Sequence, residues 1–178
     1  MPKDQANAFR TFVNENESVQ EQSQATSTAE TLNITNHGIP ENPYNPHCWI
    51  TGKPDIGEQT WIGAFTLIDG LGGLKIGRGC DISSGAQILT HSTVRRCLTE
   101  RQFDKIDYRP TVIEDHVFVG TNATILMGCQ IGHHSVIGAG AVVLAGSTIP
   151  PFSLVVGVPG RVTRCLEADL QQWSADQS

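Results

Sequence analysis

Aromatic side chains are scarce in this chain of 178 residues: Phe, Trp and Tyr make up 6% of it, against 39% for all hydrophobic types. A core with so few rings has to be packed from aliphatic side chains, and the 18 glycines point to many tight turns between them. That composition favours structural repeats over a mixed core. Cations are also in short supply, with 12 Lys and Arg against 18 Asp and Glu for a formal net charge of -6. This argues against nucleic acid as a main partner, because phosphate binding needs clustered positive charge. No run approaches the ~20 apolar residues that a membrane span requires. The opening stretch MPKDQANAFRTFVNENE lacks the apolar segment of a secretory signal, so the expected location is cytoplasmic. Cys48, Cys80, Cys97, Cys129 and Cys165 form no C-x-x-C pair; neither a disulfide framework nor a zinc knuckle is suggested, and they read as free thiols.

What the chain has instead is an aliphatic residue every six positions. Ile50, Ile56, Ile62 and Ile68 keep the beat, and Ile76, Ile82 and Ile88 resume it after a two-residue slip through DGLGGLK. After a long interruption it returns at Ile113, Val119, Ile125, Ile131, Ile137, Val143, Ile149 and Val155. Four residues after most of these stands a small or β-branched residue, such as Cys80, Ala86, Ala123, Cys129, Ser135 or Ala141, and one residue after many stands a Gly or an acid. This is the hexapeptide pattern of a β-helix. Each hexad supplies a short strand and a turn, three hexads close a triangular coil, and coils stack at the ~4.8 Å spacing of neighbouring strands. The solenoid is expected over residues 46–164, with a loop thrown out over 94–110. Leu166, Leu170 and Trp173 at i, i+4 and i+7 predict a C-terminal helix within 165–178, folded back as a cap. Residues 1–45 read as a polar extension, partly helical or disordered.

The stretch IGHHSVIGAGAVVLAGSTIPPFSLVVGVPGRVTR, with its GAG turn, Ile-Pro-Pro and Gly-Val-Pro-x-Arg-Val, resembles the end of the hexapeptide-repeat acyltransferases, in particular the galactoside, maltose and polysaccharide O-acetyltransferases. The resemblance covers roughly residues 50–165, where beat, interruption and terminal motif occur in the family's order. It implies an all-β fold, a left-handed parallel β-helix, assembled as a homotrimer with active sites between adjacent subunits. It also implies acetyl-CoA as acyl donor, no required metal, and a saccharide acceptor. Because Ala64 stands where the galactoside and maltose enzymes carry a sugar-binding Asn, the expected acceptor is a unit of a surface polysaccharide or a nucleotide-linked sugar.

His91, His116 and His134 all fall on hexad turns, so spacing alone does not separate them. The loop after His91 and the resemblance do, and both make His91 the catalytic base; His116, His133 and His134 read as solvent-facing turn residues. A hydroxyl or amine attacking a thioester must shed a proton, and an imidazole, whose unperturbed pKa is near ~6.5, takes it at neutral pH. The resemblance further implies an oxyanion donor at the backbone of Thr121, with Phe118 at the acyl site, and an acceptor contact at Asp69. It implies cofactor contacts at Gly120, Thr121, Ala139, Arg161 and Arg164. Three other readings stand beside this one. A scaffold or binding module would keep the coil without the chemistry. A carbonic anhydrase would need two zinc-binding histidines five residues apart, and no pair here has that spacing. A serine acetyltransferase would carry a His after the acid of LIDG, where this chain has Gly70.

Overall fold

A computed structural model of the chain describes residue 39 and residues 41–176. The helical and disordered character expected of the N-terminal segment lies almost wholly outside the described residues. From Trp49 to Val156 the chain winds as a parallel solenoid whose strands fall into three sheets, here faces one, two and three.

The register between coils explains the six-residue beat. On face one Ile50 pairs with Ile68, Ile68 with Ile88, Ile88 with Ile125 and Ile125 with Val143. Face two stacks Ile56, Ile76, Ile113, Ile131 and Ile149, and face three stacks Ile62, Ile82, Val119, Ile137 and Val155. Every beat position therefore sits in one of three inward columns, most of them fully buried. Each such side chain contributes about 1.5–3 kcal/mol by leaving water. The small residues four places on, among them Cys80, Ala86, Ala123, Cys129 and Ala141, are buried at the corners. Burial raises the thiols of Cys48, Cys80 and Cys129 above their ordinary range, as suits packing groups.

The glycine that follows many beat residues has a physical cause. A Cβ on Gly77 would lie 2.5 Å from the Asp115 nitrogen, on Gly120 2.5 Å from the Ala139 nitrogen, and on Gly132 2.4 Å from the Pro151 nitrogen. The corner backbone of the next coil passes directly over these positions and leaves no room for a side chain.

The interruption is a closed excursion. His91–Ser92 pairs antiparallel with Asp107–Tyr108 to form its neck, and helix α1 (Val94–Leu98) occupies its far part. Arg95 bonds Asp107 at 2.5 Å and lies 3.6 Å from the centroid of the Phe103 ring. Thr111 then restarts face two.

The C-terminal helix forms within the expected residues, and a strand that the beat did not announce precedes it. Arg161–Cys165 forms a strand antiparallel to Ser153–Val156, covering the last edge of face three. Helix α2 (Glu167–Ala175) then lies beside face three, where Leu166, Leu170 and Trp173 line a cleft with Phe118, Ser135 and Val136. No residue of α2 is buried, and Trp173 is 55% exposed. The helix is a buttress along the side of the coil. None of the described helices is long and apolar enough to cross a membrane.

Candidate active site

His91 leaves face one three residues after Ile88, at the corner where the loop departs. Its partner comes from the preceding coil. Asp69 follows Ile68, which pairs with Ile88, so Asp69 occupies the same end of face one, one coil away. Its carboxylate is 1% exposed and accepts from five donors: the backbone N–H of Leu71 at 3.0 Å, the Thr51 hydroxyl at 3.4 Å, the backbone N–H of Thr90 at 2.8 Å, the Thr90 hydroxyl at 2.9 Å and His91 Nδ1 at 2.6 Å. Burial pushes this carboxyl's pKa up. The hydrogen bonds from Thr90, Leu71 and His91 outweigh burial, and the pKa ends below its ordinary value.

That ionisation state fixes the imidazole. A carboxylate only accepts hydrogen bonds, so Nδ1 of His91 carries a proton and the neutral ring presents the Nε2 lone pair outward. The side chain of His91 is 33% exposed against 2% for Asp69. Tyr108, across the neck, sets its ring centroid 6.0 Å from that of His91. A buried acid that orients a half-exposed base is an arrangement for taking a proton from a nucleophile.

Asp69, expected as an acceptor contact, is bonded internally instead. Its carboxylate is occupied by five internal donors, one of which is the His91 ring. The spacing of 22 residues hid the pair, although the beat placed both residues at one end of face one in adjacent coils.

Gly120, Thr121 and Ala139 do come together. They stack at the opposite end of face one, where Gly140 N–H donates to the Thr121 carbonyl at 2.9 Å. The N–H groups of Thr121 and Ala139 donate to nothing within the described residues, and both residues are exposed. At the corner between faces two and three the matching groups are satisfied internally, Arg78 N–H by Asp115 and His133 N–H by Glu114. The Thr121 corner thus offers two stacked, unpaired donors suited to a developing oxyanion and to amide carbonyls of a bound ligand.

Other expected site residues sit apart. Phe118 is 44% exposed on face three in the cleft beside α2, away from His91. Arg164 pairs with Asp169 of α2 at 3.2 Å, while Arg161 donates to the Gly160 carbonyl at 3.0 Å and has no acidic partner among the described residues. His116, His133 and His134 cluster at the corner between faces two and three, with neighbouring ring centroids 5.0 to 5.1 Å apart.

His91 and Thr121 occupy opposite ends of face one, since by register Thr121 is level with Ser84, seven residues before His91, a path on the order of 20 Å. Reacting groups must approach to roughly 3 Å, so one copy of the chain does not bring them to a single centre.

Residues 110–145 match the family model described as bacterial transferase hexapeptide (six repeats). The serine acetyltransferase of Bacillus subtilis (strain 168) is 36% identical over 101 residues, 57% of this chain and 43% of the relative. The chain spans less than half the length of the first curated relatives it matches. A hexapeptide-repeat-containing acetyltransferase from Vibrio cholerae O1 biovar eltor, solved with acetyl coenzyme A, is 35% identical over 68% of this chain and 64% of its own, with a TM-score of 0.58. A second structure of that Vibrio cholerae acetyltransferase is 33% identical over 71% of this chain and 69% of its own, with a TM-score of 0.53. AntD, an N-acyltransferase from Bacillus cereus, shares the fold at 22% identity and a TM-score of 0.61 over 73% of each chain. With its three stacked columns wound as a left-handed β-helix, the chain belongs to the hexapeptide-repeat acyltransferases.

Proposed function

We propose that the chain transfers an acetyl group from acetyl-CoA to a hydroxyl or amino group of a sugar by direct attack, with His91 as general base. The observation that carries this reading is the 2.6 Å contact between Asp69 and His91 Nδ1, which leaves Nε2 as the proton acceptor. The acceptor's proton passes to Nε2 as its oxygen or nitrogen bonds to the thioester carbon. The carbonyl oxygen, now negative, is met by the Thr121 N–H. Collapse of the tetrahedral intermediate breaks the carbon–sulfur bond, and the imidazolium returns its proton to the departing thiolate. Acetyl-CoA as donor is supported by the Vibrio cholerae relative, solved with that ligand. The unpaired N–H of Ala139 faces the same corner as a contact for the pantetheine arm, and Arg161 is a cation without an acidic partner for its phosphates.

Because His91 and Thr121 stand at opposite ends of face one, we assign the centre to the junction of two copies, within a homotrimer. Serine as acceptor is favoured by the similarity to serine acetyltransferases. Against it stands Gly70, the position at which the family resemblance would place a histidine in a serine acetyltransferase: a Cβ there would lie 2.7 Å from the Pro54 nitrogen, so no side chain fits. The test is CoA release from acetyl-CoA with a panel of sugars, nucleotide-linked sugars and serine. His91→Ala is expected to lower turnover about 100-fold or more with an unaltered thermal melt. Near-normal turnover in that variant, or release with serine alone, overturns the reading.

A further inference from the structure

Thr90, the residue before His91, is 0% exposed and supplies two of the three donors on one carboxylate oxygen. Asp69 Oδ2 accepts the Thr90 N–H at 2.8 Å, the Thr90 hydroxyl at 2.9 Å and His91 Nδ1 at 2.6 Å. Oδ1 takes the other two, the Leu71 N–H at 3.0 Å and the more distant Thr51 hydroxyl at 3.4 Å. A hydroxyl has a single proton, and that of Thr90 has two oxygens within reach, Oδ2 and the Asp69 carbonyl, both at 2.9 Å. An ionised acceptor binds such a proton more strongly than a neutral carbonyl does, so the carboxylate receives it. The oxygen of the same hydroxyl accepts the Gly72 N–H at 2.8 Å.

The Gly72 contact gives the broken beat a use. Ile68 and Ile76 stand eight residues apart instead of six, and a turn takes up the surplus, with the Gly73 N–H donating to the Gly70 carbonyl at 3.3 Å. That turn presents two consecutive N–H groups to the site: Leu71 meets the carboxylate and Gly72 meets the Thr90 hydroxyl. It lies so close that a Cβ on Gly72 would stand 2.2 Å from the Thr90 carbonyl oxygen. Without the hydroxyl, Oδ2 keeps one donor besides the imidazole, and the carboxylate is freer to turn about its last torsion, whose minima are broad. The partner of one ring nitrogen decides which nitrogen of a neutral imidazole carries the proton. A carboxylate that turns away therefore releases the Nδ1–H tautomer, which proton abstraction at Nε2 requires.

We propose that Thr90 is a positioning residue: its hydroxyl, braced by the Gly72 turn, holds the Asp69 carboxylate against His91 Nδ1 and so keeps Nε2 free as the proton acceptor. The inference rests on the acyl-transfer reading and adds to it a residue that touches neither substrate. The test is made on the full chain with isotope-labelled histidine. The ring-nitrogen NMR resonances of His91, identified by their loss in His91→Gln, report its tautomer without any turnover. At about pH 8, above the ordinary imidazole pKa, the unaltered protein is expected to hold the Nδ1–H form. Thr90→Val, which fills the same space without a hydroxyl, should show a mixture of the two tautomers. Its turnover should fall about 10- to 100-fold, the loss of one hydrogen bond to a charged group, with KM for acetyl-CoA within about twofold. Thr90→Ser should restore both the Nδ1–H form and the turnover. Thr90→Cys, whose thiol is a weak donor, should fall between them and stands in if the valine variant does not fold. Retention of the Nδ1–H form in Thr90→Val, or in Thr90→Cys in its place, overturns the proposal, as does a loss that serine does not restore. Failure of CoA release with every acceptor counts against acyl transfer alone, because the tautomers still decide what Thr90 does.

Discussion

Asp69 shows how one residue can take its role from its burial. On the outside of a turn it would be an ordinary acid. Enclosed by the Thr90 and Leu71 backbones, two hydroxyls and an imidazole, it is a fixed charge whose remaining influence is exerted through His91. Asp69→Asn keeps the shape and removes the charge, and one of its two terminal atoms then becomes a donor facing donors, a mismatch of about 1–3 kcal/mol. The expected result is a kcat at least about 100-fold lower with KM for acetyl-CoA nearly unchanged, because the variant loses the orientation of the base and not the donor site. The same substitution has a pH signature. The carboxyl's pKa in the fold lies below its ordinary value, so its contribution to stability is complete above the unfolded value of ~3.9 and is lost as pH falls through the lower folded value. Denaturant unfolding between pH 6 and about 2.5 should show a shallower acid limb in Asp69→Asn. The place of His91 at the root of the loop was legible in the letters from the break that follows it. The acid's function was not, since it depends on which atoms surround a carboxylate in three dimensions.

At the scale of the element, the coil is a stack of equivalent corners that the chain fills differently. The left-handed slot is taken by Gly79, Gly85, Gly128, Gly140 and Gly146 in some coils and by Phe65, His116, Asn122, His134 and Phe152 in others. At the corner between faces two and three this puts His116, His134 and Phe152 in one column, with His133 and His134 bonded through Nδ1 atoms 3.0 Å apart. Burial, then repulsion from His116 and His133, lowers the pKa of His134, with Asp115 opposing weakly. A lowered histidine pKa carries no penalty above the unfolded value of ~6.5, and the cluster loses stability as pH falls below it. His134→Asn, in a residue type that tolerates positive φ, should therefore reduce the drop in melting temperature between pH 8 and pH 5. An unchanged drop would place the acid sensitivity elsewhere. The beat announced these corners as turns, and the columns that they form follow from the coil length. Which imidazoles would touch did not follow, because a shared column does not fix the side-chain rotamers that bring two rings together.

For the whole molecule, the two halves of the proposed centre lie at opposite ends of one face, and in the proposed trimer association of copies unites them. Thr121→Pro removes the oxyanion donor at a corner position that Pro151 already occupies in another coil, so the fold accepts it. Mixed with His91→Ala and reassembled, two inactive variants should recover about a quarter of the normal activity, the fraction of random junctions that join an intact His91 to an intact Thr121 N–H in a cyclic trimer. No recovery from mixed and demonstrably exchanged trimers would place the centre within one copy. The sequence by itself determined the solenoid, its three aliphatic columns, the place of the loop and the histidine at its root, because a repeating core needs only a local period to specify it. The tertiary structure decided the use of Asp69, the turn braced against Thr90, the antiparallel last strand and the position of the terminal helix. Those depend on contacts between coils and on backbone groups left unpaired, and a six-residue period is the same whether such a contact forms or not.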